Sequence, residues 1–92
     1  MNEPRQLRLI TRHSCELCEE LLALLEPYAA SGVIRVDAFD VDADPVLHAA
    51  HTWRVPVLME GDQELMWGKI EVAEVVAALG QPLQGSKQHF SA

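Results

Sequence analysis

The sequence predicts an α/β domain with its elements in the order β-α-β-α-β-β-α. Three observations carry this. The run "LRLIT", a stretch with apolar residues at three- and four-residue spacing, and "VIRVDAF" follow one another closely enough to form a βαβ unit with parallel strands and a right-handed crossover. "RVPVLME" and "QELMW" flank Gly61-Asp62 as the two arms of a hairpin. The chain of 92 residues has room for one modest core and no second domain.

Each element has its own signal. Leu7 to Thr11 alternates apolar and polar residues, the pattern of a half-buried strand. From Cys15 onward, Leu17, Leu21, Leu22, Leu24, Leu25 and Tyr28 trace a broad apolar helix face, with Pro27 expected to kink or loosen the last turn and Gly32 to stop it. Val33 to Phe39 is rich in β-branched residues and reads as the second strand. Asp44-Pro45 combines a cap with a first-turn proline, which predicts a short second helix. The last helix is expected from Ile70 to Leu79, with Glu71 and Glu74 near its positive end and Gly80 just past its negative end. The domain is thus placed at residues 1–80, and residues 81–92 read as a loose polar tail.

Composition narrows the function classes. With 14 acidic against 7 basic residues, the net charge of -7 opposes a nucleic-acid footprint and an anionic membrane surface. Met1 to Arg5 is polar and no apolar run approaches a membrane span, so a cytoplasmic monomer is expected. In such a compartment ordinary disulfides stay reduced, which turns attention to the two cysteines, Cys15 and Cys18.

That pair opens the first helix in "HSCELCEELLALL". As a structural staple it is poor, because closing so short a loop is worth roughly 2 kcal/mol against about 4.7 for a 100-residue loop. Three readings remain: a redox couple, half of a Cys2His2 zinc set with His48 and His51, or two small core residues. The zinc set has poor spacing for its histidines. The acidic run "DVDAD" resembles the opening of a calcium loop, but Pro45 stands where glycine is required and His51 where a glutamate is, so a strand end followed by a helix cap is expected.

A CxxC at the junction of a first strand and first helix, this element order, and Val55-Pro56 at the start of the third strand together resemble the glutaredoxin and thioredoxin superfamily, closer to its glutaredoxin-like branch. The resemblance spans residues 7–80. It implies a four-stranded mixed sheet with helices on both faces, Cys15 as attacking thiol, Cys18 as resolving thiol, and a cis Val55-Pro56 bond facing them. It also implies a substrate site along Arg54, Val55, Pro56, Gly68 and Lys69. Substrates would be a disulfide-containing protein or a glutathione mixed disulfide, with no cofactor required, no metal, and glutathione as a candidate co-substrate.

The departures are specific. Glu16-Leu17 separates the cysteines in place of Pro-Tyr or Gly-Pro, and Leu9 replaces the buried aspartate of thioredoxins. Arg54 stands where glutaredoxins carry threonine, and Trp67-Gly68-Lys69 is what remains of their glutathione-holding Gly-Gly-Asp. The competing class is a non-catalytic module of the same fold that holds a partner or metal in the same groove.

Chemistry needs a thiolate, and a free cysteine has a pKa near about 8.5. The unpaired N–H groups and positive dipole at a helix start would lower that of Cys15, with Arg12 and His13 adding positive charge and Glu16, Glu19 and Glu20 opposing them. His13 reads first as a solvated loop residue, and Pro56 by itself first as a strand-start proline. Trp53 and Trp67 are expected either to rim the site or to pack in the core.

Overall fold

The structure, a computed structural model, describes residues 3–81. Its elements are β1 (Arg5–Thr11), α1 (Glu16–Ala30), β2 (Ile34–Asp40), a single 3-10 turn (Val41–Ala43), α2 (Pro45–His51), β3 (Val57–Glu60), β4 (Gln63–Trp67) and α3 (Val72–Leu79). Apart from the added 3-10 turn, the order is the expected one. The tail expected at residues 81–92 lies outside the described residues beyond Gln81.

The four strands form one mixed sheet in the order β2-β1-β3-β4. β1 pairs with β2 in parallel from Arg5–Ile34 to Thr11–Asp40, and with β3 antiparallel through Leu9–Leu58 and Ile10–Val57. β3 and β4 form the hairpin, closed by Glu60–Gln63 across a turn in which Gly61 takes φ 60. Positive φ at that position is the reason for the glycine.

Successive strand residues face opposite ways, and the central strands β1 and β3 carry buried residues on both sides. On one face, Leu7, Leu9 and Leu58 pack with Leu21, Leu25 and Tyr28 of α1 and Val75 of α3. On the other, Ile10 and Val57 meet Val41, with Leu47 of α2 packed against them. Neighbours such as Leu9 and Ile10 thus serve different cores.

Boundaries differ from the sequence reading in instructive places. β1 starts at Arg5, whose N–H bonds the Val33 carbonyl at 3.0 Å and whose guanidinium takes Glu60. α1 runs through Pro27 to Ala30, with Ser31 N–H bonding the Pro27 carbonyl and Gly32 at φ 83 turning the chain out. The largest correction concerns β3, expected to include Arg54, Val55 and Pro56 but beginning at Val57. Arg54 N–H is turned back to the His51 carbonyl at 2.8 Å, and Pro56 has no N–H to give a ladder. In "DVDAD", Asp40 caps the 3-10 turn through Asp42 N–H and Asp44 caps α2 through Val46 N–H, each at 2.8 Å, as the helix-cap reading requires.

Candidate functional site

Where β1 leaves the sheet, Arg12, His13 and Ser14 reverse the chain into α1. Ser14 adopts φ 58, a left-handed conformation uncommon for a residue with a Cβ, and Cys15 then takes the extended geometry of an N-cap. Its sulfur fills the role usually held by a hydroxyl or carboxylate: Cys18 N–H donates to Cys15 Sγ at 3.1 Å. Cys15 and Cys18 form a disulfide within this first turn, their Cα atoms 5.2 Å apart. Cys18 is only 2% exposed, whereas Cys15 is half-buried at the surface. An open recess of about 330 Å³ lies over the pair, lined among others by Arg12, His13, Glu19, Leu22 and Asp40.

Two further segments reach the same end of the sheet. The Ile10–Val57 pair places Val55 and Pro56 alongside the residues that follow β1, and the Val55–Pro56 bond is cis. Gly68, directly after β4, donates its N–H to the Pro56 carbonyl at 2.8 Å and does so at φ 76, which glycine tolerates without a Cβ penalty. The chain therefore gathers 12–18, 52–56 and 67–69 at one edge.

Arg12, Arg54 and Lys69 are each occupied. Arg12 makes two parallel bonds to Asp42, at 2.9 and 3.0 Å, and two more to the carbonyl and hydroxyl of Thr52, at 2.9 and 2.7 Å. Arg54 pairs with Glu64 and lies 5.0 Å above the Trp67 ring. Lys69 reaches Glu20 of α1 at 3.7 Å. Asp42 is held below the usual carboxylate range first by the Arg12 hydrogen bonds, with the charges of Arg12 and His48 adding to them. His13 is exposed beside the recess, and Trp53 and Trp67 are exposed at 85% and 54%, a surface position rather than a core one.

His48 bonds Thr52 and approaches Asp42, while His51 is buried. Among the described residues no group of three or more His, Cys, Asp or Glu is gathered to hold a metal, so the Cys2His2 set is not assembled.

Sequence reading missed Asp42, Thr52 and Glu64 as partners. The first had a signal: parallel pairing of Thr11 with Asp40 brings the next residues of both strands together, so Arg12 had to meet "DVDAD". Glu64 had none, since the hairpin register sets it opposite Met59, near the end of β3, and it is Trp67 that lies opposite the start of that strand.

A family model described as the glutaredoxin-like domain (DUF836) matches residues 6–80. The chain belongs to that family. Among solved structures, this glutaredoxin-like domain is similar to protein Ne2328 from Nitrosomonas europaea, with 30% identity and a TM-score of 0.70 over 86% of this chain and 95% of that one. It is also similar to protein XcR50 from X. campestris, with 26% identity and a TM-score of 0.67 over 79% and 93%. No curated protein matches the sequence. The cysteine pair, the cis-proline and the glycine after β4 all fall inside the matched residues. Among the described residues no helix is long and apolar enough to cross a membrane.

Proposed function

We propose that this glutaredoxin-like domain is a thiol-disulfide oxidoreductase of the cytoplasm, with Cys15 as the attacking thiol and Cys18 as the resolving thiol. The observation that carries the reading is the asymmetry of the pair. The two sulfurs are bonded to each other and both residues line an open recess, yet Cys15 at the helix start is half-buried while Cys18 is only 2% exposed.

In the reduced protein, the N–H of Cys18 and the dipole of α1 favour negative charge on Cys15 Sγ. The thiolate attacks one sulfur of a substrate disulfide, a Cys15–substrate bond forms, and the other substrate half leaves as thiolate. Cys18 then attacks Cys15 Sγ, the Cys15–Cys18 disulfide forms and the second half leaves. Two electrons pass from the dithiol to the substrate. A thiol reductant, glutathione or a dithiol protein, must return them.

Arg54, Val55, Pro56, Gly68 and Lys69, which do not line the recess itself, would hold the substrate chain. The support is the convergence of their segments at the cysteine end of the sheet through the Ile10–Val57 pair and the Gly68–Pro56 bond.

The test is Cys18→Ser. It removes the resolving thiol and leaves Cys15, so the variant should accumulate a mixed disulfide with an oxidised substrate protein, releasable by reductant and absent in Cys15→Ser. If both variants gave the same adducts, or neither gave any, the assignment of roles would fail.

A further inference from the structure

Arg54 and Lys69 are the cations placed to attract the carboxylates of glutathione, and Arg12 is the cation beside the cysteines, yet each is matched to a carboxylate of the protein itself: Glu64, Glu20 and Asp42. An incoming carboxylate would compete with these partners, weakly at the exposed Lys69–Glu20 pair and more strongly at the less exposed Arg12–Asp42 and Arg54–Glu64 pairs. Glu16, Glu19 and Asp40 surround the disulfide without an ion-pair partner among the described residues, and Glu19 and Asp40 line the recess itself. His13 is the remaining basic side chain on that lining. With Arg12 bonded to Asp42 and shared electrostatically with Asp40, the carboxylates of Glu19 and Asp40 leave the recess acidic, in a chain whose net charge is already -7.

Two indoles add a second feature. Trp67 already holds the Arg54 guanidinium over its ring at 5.0 Å, and Trp53 presents a ring that is 85% exposed. Exposed tryptophan faces attract cations and apolar chain, not anions.

From these arrangements we infer that the substrate of this site is a polypeptide disulfide flanked by lysine or arginine, in preference to the anionic glutathione disulfide. The inference rests on the oxidoreductase reading and names the substrate class within it. The reaction balances as before: the protein dithiol is oxidised to Cys15–Cys18 and one substrate disulfide is reduced to two thiols.

The experiment uses the full chain, reduced, and three oxidised probes: a single-cysteine peptide dimer with flanking lysines, the same dimer with flanking glutamates, and glutathione disulfide. Formation of the Cys15–Cys18 disulfide is followed by mass after alkylation. Each rate is divided by that of dithiothreitol, an uncharged dithiol, so that intrinsic reactivity cancels. The lysine dimer should react at least ~10-fold faster than the glutamate dimer and than glutathione disulfide at low salt, with the ratio shrinking at about 0.5 M salt. Glu19→Gln combined with Asp40→Asn, which keeps the turn-capping side chain, should narrow the ratio. Equal or reversed rates would overturn the inference and leave the oxidoreductase reading standing. Oxidation by none of the three would overturn both.

Discussion

Arg12 grips Asp42 through two parallel hydrogen bonds of 2.9 and 3.0 Å, joining the chain just after β1 to the turn just after β2. With the bonds from Arg12 to Thr52, one side chain ties together the chain after β1, the turn after β2 and the residue that ends α2. Its charge is spent on architecture, which is why the recess keeps an acidic lining.

This pair makes stability acid-sensitive. Asp42 has its carboxyl held below the ordinary range, chiefly by hydrogen bonding to Arg12, so its contribution is full above the unfolded value of about 3.9 and is lost as pH falls through the lower folded value. Glu60, bonded by Arg5, acts in the same direction. Asp42→Asn should be less stable than the parent at neutral pH, and the gap in urea midpoint should close as the pH is lowered below about 4. A gap that stayed constant down to pH ~2 would contradict this.

Ser14 at φ 58 predicts an asymmetric response to substitution. Ser14→Val places a β-branched side chain in the left-handed region and should cost about 1–2 kcal/mol in urea unfolding. Ser14→Gly relieves the Cβ but frees the unfolded chain, and should change stability by less than ~1 kcal/mol. Equal losses for both would mean that Ser14 matters through its hydroxyl.

Tyr28 is 2% exposed, and its hydroxyl donates to the Gly80 carbonyl at 2.6 Å, fastening the end of α3 to α1. Tyr28→Phe keeps the ring and should cost about 0.5–1.5 kcal/mol by chemical denaturation. Burial raises the phenol's pKa, so the neutral form stabilises the fold below the unfolded value of about 10, and that stability is lost as pH rises through the folded value. The phenylalanine variant should lose less stability than the parent above about pH 10.

Much of the fold was legible because it follows from periodicity. Alternating residues in Leu7–Thr11 and the helical spacing from Leu17 to Tyr28 report faces that the structure buries on opposite sides or against α1. Gly61-Asp62 marked its hairpin because only certain residues tolerate the turn. The start of β3 was misread because "RVPVLME" has one continuous apolar character, and what ends the strand is a missing donor at Pro56 and a turn bond from Arg54. Within the site, the cysteines and Val55-Pro56 were visible as motifs. The partners of Arg54 and Lys69 were not, since charge pairing depends on tertiary neighbours, and Asp42, 30 residues from Arg12, becomes legible only once β1 and β2 are paired in register.

The measurement that bears most directly on the central proposal is the equilibrium of Cys15 and Cys18 against defined glutathione redox buffers, read by mass after alkylation. The proposal expects a reversible two-electron transition with a midpoint between roughly -180 and -270 mV, the range of working oxidoreductases. A pair that stays alkylatable in every buffer, or stays oxidised throughout, would contradict it and leave a binding module built on the same fold.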